Sequence, residues 1–247
     1  MNFDRIIAVR NTKTIYRDGD LCLKVFNEGT SKAGIFNEAL NQARAQEAGL
    51  NVPEVIQVSV NGGKLMIVSE YIEGKSLAEL IKENPEKQDE YLTLLASLQT
   101  QMHKTSCRYL IKQRDRMIRR INESDIPATV RYDFILRLEK TPCDNKLCHG
   151  DFTPSNIIIS DGEKPYIIDW AHASQGNPEA DAAKTYISLF HDYGKDAAEK
   201  YLSQFCSQSK VTEESVREWL GTAAASESSD ANSQMREFLY GNFILKK

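Results

Sequence analysis

Short runs of alternating apolar and polar residues dominate the first part of the chain. Five such runs are predicted as strands: residues 6–10, 12–17, 21–26, 55–60 and 64–72. Asp18-Gly19 separates the second run from the third, and Asn61-Gly62-Gly63 separates the fourth from the fifth. Both sequences favour tight turns between antiparallel strands, so two hairpins are expected.

A helical period interrupts the strands between residues 31 and 48. Ser31 is a residue type that commonly caps a helix N-terminus, because its hydroxyl accepts a hydrogen bond from an amide of the first turn. The apolar positions that follow at helical spacing form one stripe: Ile35, Phe36, Ala39, Leu40 and Ala43. The predicted order is therefore three strands, one helix and two strands.

Helical periodicity replaces the strands after Gly74. Helices are predicted over three segments: residues 76–83, 87–105 and 109–139, the last broken near 125–127. Two short strands are also predicted: residues 156–159 and 165–169. From Pro178 the chain is helical by its period, with the small-residue stretch 223–232 as a connection between helices. The pattern divides the chain into a strand-rich part, residues 1–72, and a helical part, residues 73–247, in the α+β class.

Composition and charge exclude several classes of function. The net charge of −4 leaves no basic excess of the kind that binds nucleic acid. No apolar run is long enough to span a bilayer, and the first residues contain no apolar segment of a secretory signal, so no membrane association is expected. The five cysteines are scattered without a Cys-x-x-Cys pair, which argues against a disulfide framework or a zinc site and favours a reducing cytoplasm.

Three side chains in the middle of the sequence suggest metal and phosphate chemistry. Asp151 and Asn156 lie in the segment HGDFTPSN, and Asp169 ends the apolar run Tyr166-Ile167-Ile168. A carboxylate at the end of a buried strand is unfavourable unless it is paired or bound to metal, and carboxylate and amide oxygens suit Mg²⁺. The order of aspartate, four intervening residues, asparagine and strand-end aspartate is the catalytic-loop pattern of kinases.

Lys24 stands in the predicted strand LCLKVF, on the same face as Cys22 and Phe26. A lysine on an apolar face requires an acid or a phosphate as its partner, and Glu38 on the following helix is a candidate acid. In kinases a strand lysine pairs with a helix glutamate and contacts the ATP phosphates. Solvent-facing positions for both residues are the alternative interpretation.

These residues, with others at matching positions, give the chain a family resemblance. The further matches are SEYIEG at 69–74, Met102-His103, IIDW at 167–170 and Asp181 in GNPEADAAKTYI. The chain resembles the aminoglycoside phosphotransferase family, the small-molecule kinases of the protein-kinase-like fold that also include choline and homoserine kinases. The resemblance implies a bilobal α+β fold. A small antiparallel-sheet lobe, residues 1–72, would bind nucleotide, and a larger helical lobe, residues 73–247, would hold the catalytic loop and the acceptor pocket.

The resemblance also implies a reaction and its cofactors. The γ-phosphoryl group of ATP would pass to a hydroxyl of a small-molecule acceptor, with Mg²⁺ as the metal ion. Asp151 would be the catalytic base, and Asn156 and Asp169 would hold the metal. His149 and Asp181 would keep the catalytic loop in shape rather than react.

Nucleotide contacts follow from the same resemblance. Lys24, anchored by Glu38, would bind the α and β phosphates. The backbone of Glu70, Tyr71 and Ile72 would contact the adenine.

The first hairpin departs from the family pattern, because residues 9–14 contain no glycine. Backbone amides approach phosphate most easily where glycine removes the side chain. Asn11, Thr12 and Lys13 could supply side-chain contacts instead, so Asn11 and Thr12 join the candidate nucleotide-binding residues. Lys184 stands where the family often has arginine.

The charge pattern limits the acceptor without identifying it. Seven arginines fall between residues 107 and 146, the segment where related enzymes build the acceptor pocket: Arg108, Arg114, Arg116, Arg119, Arg120, Arg131 and Arg137. They form either a solvated helical face or a site for an anionic acceptor. The chain ends in Lys246-Lys247, whereas aminoglycoside-modifying members often present acids there. A neutral or anionic acceptor is therefore expected in preference to a polycationic aminoglycoside.

Two alternatives stay open at this point. The chain could be a kinase that acts on a protein hydroxyl, or a nucleotide-binding pseudokinase that serves as an interaction module. The glycine-free hairpin favours the pseudokinase. The retained polar residues oppose it: Lys24, Glu38, Asp151, Asn156 and Asp169. The sequence decides neither between ATP and GTP nor the oligomeric state.

Overall fold

The computed structural model describes residues 5–245 and confirms the α+β class. The strands are β1 Arg5–Val9, β2 Lys13–Asp18, β3 Leu21–Phe26, β4 Val55–Asn61, β5 Lys64–Glu70, β6 Gly74–Ser76, β7 Lys146–Cys148, β8 Ile157–Ser160, β9 Pro165–Ile167 and β10 Ser174–Gly176. The α-helices are α1 Lys32–Glu47, α2 Leu77–Glu83, α3 Gln88–Met102, α4 Gln113–Glu123, α5 Ala128–Lys140, α6 Pro178–Tyr193, α7 Lys195–Gln208, α8 Glu213–Glu227 and α9 Ser233–Leu239, followed by a π-helical turn at Tyr240–Ile244. No helix in this part of the chain has both the length and the apolar character needed to cross a membrane.

The chain forms two compact units whose boundaries differ from the division at residue 72. The first unit contains residues 5–83 and 154–172, and the second contains residues 84–153 and 173–245. The chain returns to the first unit because β8 pairs with β6 and β9 pairs with β8, both antiparallel.

The first unit is built on a five-stranded antiparallel sheet with the order β1-β2-β3-β5-β4. Both predicted hairpins are present. In the first, Asp18 pairs with Leu21, so Gly19 and Asp20 make the turn, one residue later than expected from Asp18-Gly19. Gly19 has a φ of 58°, a left-handed conformation that glycine adopts without steric cost.

Helix α1 packs on this sheet and carries an unusually polar buried face. Ser31 caps the helix as predicted, since its Oγ accepts a hydrogen bond from the Gly34 amide at 3.2 Å. Ile35 and Ala39 of the predicted stripe are buried against the sheet. Phe36 and Leu40 are 53% and 47% exposed, so the stripe was wrong for these two residues.

Polar side chains of α1 are buried where the predicted stripe placed apolar ones. The α1 residues buried with Ile35 and Ala39 include Glu38, Asn41 and Gln42. The Asn41 amide donates to the Trp170 carbonyl at 3.1 Å, and the Gln42 amide donates to the Pro53 carbonyl at 2.7 Å. Buried polar groups of this kind are stable because each has a specific partner, and periodicity of apolar residues does not detect them.

The second unit is mainly helical, with α6 packed against both α7 and α8 and with α3 packed against α7. Helix α8 continues to Glu227, so the expected connection at 223–232 is wrong over its first half. Ala223, Ala224 and Ala225 are fully buried. Small side chains let neighbouring helices approach closely, and here that composition marks a buried helix segment instead of a loop.

Candidate functional site

Lys24 and Glu38 form a buried ion pair in the first unit. The Lys24 Nζ lies 2.7 Å from Oε1 of Glu38, and the two side chains are only 9% and 5% exposed. Burial alone would lower the pKa of Lys24, but the carboxylates of Glu38 and Asp169 more than offset it and raise the pKa above its ordinary value. The ammonium therefore stays charged although it is removed from water.

Lys13, at the start of β2, adds a second ammonium to the same place. Its Nζ lies 3.1 Å from Oε1 of Glu38 and 3.1 and 3.2 Å from the two carboxylate oxygens of Asp169. The side chain is 9% exposed. Four charged groups, two positive and two negative, are thus brought together, and we refer to Lys13, Lys24, Glu38 and Asp169 as the charged cluster.

The register of the first hairpin carries a sequence signal for the position of Lys13. In the hairpin register, Ile15 lies opposite Lys24 and Lys13 lies opposite Phe26. Directly opposed residues of an antiparallel pair share a face, and so do residues two positions apart on one strand. Lys13 and Lys24 therefore had to lie on the same face of the sheet once the turn was placed.

Asp169 lies two residues beyond the end of β9, not at the strand end that the sequence predicted. It has a φ of 63°, which is left-handed and costs a non-glycine residue on the order of 1 kcal/mol. Strained backbone of this kind persists where the surroundings impose it, often at functional sites. The conformation places the carboxylate, 30% exposed, against Lys13.

Asn156 and Asp169 lie at the same end of the β8–β9 pair. Ile157 pairs with Ile167, and the Ile168 amide donates to the Asn156 carbonyl at 2.9 Å. The two candidate metal ligands are therefore supplied by adjacent segments. Carboxylate and amide oxygens are the hard donors that Mg²⁺ prefers, and Asp169 already accommodates one cation, the Lys13 ammonium. The donor set fits magnesium.

A cavity of about 620 Å³ lies in the first unit beside the charged cluster. This volume suits a small-molecule ligand. Its walls include apolar side chains and the Lys24 ammonium, and the residues that matter here are Ile15, Lys24, Ile72, Ile158 and Ile168. The cavity thus combines an apolar surface with a buried positive charge at one wall.

The three candidate adenine-contacting residues Glu70, Tyr71 and Ile72 also line this cavity. The Glu70 amide donates to the Glu54 carbonyl at 2.9 Å, and the Tyr71 amide donates to the Asp20 carbonyl at 2.8 Å. Within residues 5–245, no such bond engages the Ile72 amide. Ile72 is therefore the residue of the three whose backbone donor is available to a ligand.

Asn11 and Thr12 lie outside the cavity walls. Both residues are exposed in the turn between β1 and β2. Their carbonyls accept hydrogen bonds from Asn27, from its side chain at 2.9 Å and from its amide at 2.8 Å. The structure brings Lys13, and neither of these two neighbours, to the charged cluster.

In the second unit, Asp151 follows β7 in a loop held by Asp181. The amides of His149 and Gly150 donate to Asp181 at 3.2 and 2.7 Å. The Asp151 amide donates to Nδ1 of His149 at 3.2 Å, which leaves that ring nitrogen without a proton. These contacts hold the backbone that leads into Asp151 and agree with shaping roles for His149 and Asp181.

Asp181 is the centre of a buried hydrogen-bond network that the sequence revealed only in part. Gln99 of α3 and His103, which directly follows that helix, approach its Oδ2 at 3.1 and 3.0 Å. Burial raises the pKa of Asp181, but the hydrogen bonds from His103 and Gly150 outweigh it and lower the pKa to about 2. Gln99, His103, His149 and Asp181 are called the loop-anchoring network below.

Comparison with known proteins gives a family match over most of the chain. The model of the family described as "Phosphotransferase enzyme family" matches residues 8–219. The chain is 30% identical over 169 residues to the KEOPS complex subunit Bud32 of Pyrococcus abyssi, covering 68% of this chain and 56% of that protein. The match therefore spans little more than half of that relative's length.

Solved structures share the fold at low sequence identity. Choline kinase LicA from Streptococcus pneumoniae is 19% identical with a TM-score of 0.64, covering 98% of this chain and 91% of that one. A thermostable mutant of aminoglycoside phosphotransferase APH(4)-Ia, solved in a ternary complex with AMP-PNP and hygromycin B, is 16% identical with a TM-score of 0.64, covering 96% and 90%.

Proposed function

The chain belongs to the phosphotransferase enzyme family, and we propose that it transfers the γ-phosphoryl group of ATP to a hydroxyl group of a small molecule. The observation that carries this proposal is the buried Lys24–Glu38 pair beside Asp169, in which Lys24 lines a cavity of nucleotide-sized volume. Kinases use a lysine–glutamate pair of this kind to hold phosphates. A buried charge network without a ligand would add little to stability.

The nucleotide is assigned to the cavity of the first unit. Its base would lie among Ile15, Ile158 and Ile168, with the Ile72 amide as a hydrogen-bond donor, and Lys24 would contact the α and β phosphates. The AMP-PNP in the structurally similar aminoglycoside phosphotransferase supports nucleotide as the ligand class.

Asn156 and Asp169 would hold Mg²⁺ through their side-chain oxygens. The ion, when bound, neutralises charge on the transferred phosphoryl group. The donor types and their placement at one end of the β8–β9 pair support this assignment.

Asp151 is proposed as the catalytic base. Its carboxylate would accept the proton of the acceptor hydroxyl while that oxygen forms a bond to the γ phosphorus and ADP leaves. Phosphoryl transfer needs little covalent chemistry from the enzyme, so the main requirements are position and charge. The loop-anchoring network supports the position by fixing the amides next to Asp151.

A neutral or anionic acceptor is proposed in preference to an aminoglycoside. Several arginines of the 107–146 segment are engaged within the second unit: Arg120 contacts Asp230 at 2.6 Å and Arg137 lies 3.6 Å from Glu218. Burial, together with the nearby charges of Arg120 and Arg119, lowers the pKa of Arg116 to about 10. Burial contributes most to this shift, and the neighbouring guanidinium charges of Arg120 and Arg119, which lower the pKa further, would oppose a polycation. Lys246-Lys247 lie outside the described residues.

A phosphate-transfer screen tests both the reaction and the acceptor. The purified protein is incubated with ATP or GTP and Mg²⁺, and with aminoglycosides, macrolides, choline, amino alcohols or sugars. We expect transfer to a neutral or anionic hydroxyl compound, and we expect Asp151→Asn to reduce that transfer strongly. An aminoglycoside phosphorylated with a kcat/KM of roughly 10⁴ M⁻¹s⁻¹ or more would contradict the acceptor class and leave the kinase assignment intact.

A kinase that acts on a protein hydroxyl is the second candidate. The 30% identity to a subunit of the KEOPS complex favours it, because that relative works in a protein assembly. The same screen distinguishes the candidates when a protein fraction is included and the labelled products are separated by size. Nucleotide binding without transfer to any acceptor would instead indicate the pseudokinase.

A further inference from the structure

Lys13 takes part in the charged cluster in a way that the Lys24–Glu38 pair does not require. Glu38 already accepts a hydrogen bond from Lys24 at 2.7 Å. The Lys13 ammonium is farther from Glu38, at 3.1 and 3.4 Å, and equally close to both oxygens of Asp169, at 3.1 and 3.2 Å. It therefore bridges the glutamate of the ion pair and the proposed metal ligand.

This bridge conflicts with a metal ion at Asp169. Mg²⁺ requires an oxygen at about 2.0–2.1 Å in near-octahedral geometry, and the ammonium lies across both oxygens of the carboxylate. Two cations on one carboxylate repel each other strongly in a partly buried site. A metal ion can bind Asp169 only if Lys13 moves or if an anion is placed between the two cations.

The position of Lys13 in the chain indicates which anion that would be. Lys13 begins β2 directly after the turn formed by Arg10, Asn11 and Thr12. This turn has no glycine, so its amides are poorly suited to close contact with phosphate. A lysine side chain has a flexible four-carbon stem and a compact charge, so the ammonium can move to a phosphate while it keeps Glu38 as a neighbour.

We propose that Lys13 is a second phosphate-binding residue that, without nucleotide, holds Asp169 in place of the metal ion. Arrival of ATP with Mg²⁺ exchanges partners: Asp169 passes from Lys13 to the metal, and Lys13 passes from Asp169 to the triphosphate. This role rests on the proposed nucleotide site. The exchange of partners predicts that metal ion and nucleotide bind together and that the metal ion alone binds poorly.

A purely structural role for Lys13 makes a different prediction. Removal of a structural cation would lower the melting temperature and weaken every ligand. The exchange role instead predicts effects of opposite sign: weaker binding of nucleotide with metal, and tighter binding of metal alone. The sign of the second effect separates the two roles.

The first experiment measures binding, not activity, in Lys13→Met and in the matched control Lys64→Met, an exposed lysine of the same unit. Calorimetric titrations use Mn²⁺ alone and AMP-PNP with Mg²⁺, and melting curves establish that each variant is folded. We expect Lys13→Met to bind AMP-PNP with Mg²⁺ about tenfold more weakly, the effect of losing one charged hydrogen bond. We expect Mn²⁺ alone to bind several-fold more tightly, and both affinities of Lys64→Met to match the wild type.

A second variant keeps the test independent of how well Lys13→Met folds. Asp169→Asn removes the carboxylate charge that engages Lys13, so the ammonium becomes available to phosphate without metal. Metal-free AMP-PNP should then bind more tightly than it binds the wild type. The double variant Lys13→Gln/Asp169→Asn should lose that gain, as expected for two coupled residues.

The outcomes separate this inference from the proposed function. If the wild type binds no nucleotide with Mg²⁺, both fall together. If the wild type binds nucleotide, but Mn²⁺ alone binds Lys13→Met no more tightly than it binds the wild type, the exchange role is overturned and the kinase assignment stands. Unchanged metal-free binding in Asp169→Asn overturns it in the same way.

Discussion

The charged cluster of the first unit and the loop-anchoring network of the second both consist of buried polar groups. They differ in the kind of partner that each polar group contacts. The charged cluster contains two lysines and two carboxylates, and Asp169 within it is 30% exposed. The loop-anchoring network contains one carboxylate, Asp181, whose oxygens accept from side chains and from two backbone amides, and which is 1% exposed. One set is open to an incoming ligand and the other is closed.

This difference separates groups kept for function from groups kept for structure. A buried ion pair contributes little net stability compared with apolar residues of similar volume. Four clustered charges, of which Lys24 lines the cavity, therefore require another reason, and the proposed ligand binding would supply it. Backbone amides in the interior must find acceptors whatever the function. Asp181 meets that requirement for His149 and Gly150, and its contribution is to the shape of the loop.

The largest expected effect is on turnover, and it concerns Asp151, which follows the amides held by the loop-anchoring network. Asp151→Asn removes the proposed base and should lower turnover by about 10²–10⁴-fold, while the affinity for nucleotide stays near the wild-type value because the cavity lies in the first unit. Steady-state rates and nucleotide titrations measure the two quantities. A variant that keeps near-normal transfer would remove Asp151 from the mechanism.

The next largest effect is on stability, and it tests whether the loop-anchoring network has a structural role. Asp181→Ala leaves the amides of His149 and Gly150 and the side chain of His103 without their acceptor, and should reduce the free energy of unfolding by about 3–5 kcal/mol. Urea unfolding measures it. The control is Asp192→Ala on the same helix, a side chain that is 50% exposed, where the change should stay within about 0.5 kcal/mol. Equal effects of the two substitutions would contradict the network's role.

Acid should weaken the same network. The pKa of Asp181 is about 2 in the folded protein, below the roughly 3.9 of an unfolded aspartate. A depressed folded-state pKa means that the stabilisation is present above about pH 4 and is lost as the pH falls from there toward 2. The loss amounts to about 2 kcal/mol. It is measured as the difference in pH dependence of urea unfolding between the wild type and Asp181→Asn, and parallel curves would contradict it.

The smallest effect compares the two units through one helix cap in each. Ser31→Ala removes the N-terminal cap of α1. Thr212→Ala removes the N-terminal cap of α8, because the Oγ1 of Thr212 accepts a hydrogen bond from the Ser215 amide at 3.2 Å. Each should cost about 1 kcal/mol.

Amide hydrogen exchange shows where that cost is felt. If the units open separately, Ser31→Ala should speed exchange in the first unit only and Thr212→Ala in the second only. Faster exchange throughout the chain in either variant would show that the two units unfold as one.

Local patterns predicted much of this structure because their causes are local. Alternation and turn residues located β1 to β5, and Ser31 located the start of α1, since these depend on neighbours in sequence. The prediction failed for Phe36 and Leu40 because burial on α1 depends on polar partners elsewhere in the unit, Trp170 and Pro53 among them. No periodicity of apolar residues contains that information.

The candidate site was predicted with the same strengths and gaps. The Lys24–Glu38 contact and the neighbouring positions of Asn156 and Asp169 agree with the motif interpretation, although their roles stay predictions. Asn11 and Thr12 were predicted as nucleotide-binding residues from their place in the turn. The direction of a side chain next to a turn depends on the strand register, and of these three neighbours only Lys13 contacts the charged cluster. The return of residues 154–172 to the first unit depends on pairing between distant strands, which a residue-by-residue pattern does not encode.

That return has a consequence for how the protein is made. β6 pairs with β8 only after the long intervening segment has been synthesised, so closing the first unit carries the entropic cost and slow kinetics of a non-local contact. Until then, a nascent chain holds Lys13 and Lys24 with Glu38 as the cluster's one carboxylate. The arrival of Asp169 balances the charge, and a fragment that ends at residue 83 would lack it. The last part of the first unit to assemble therefore also contains Asp169, the residue proposed to hold the metal ion.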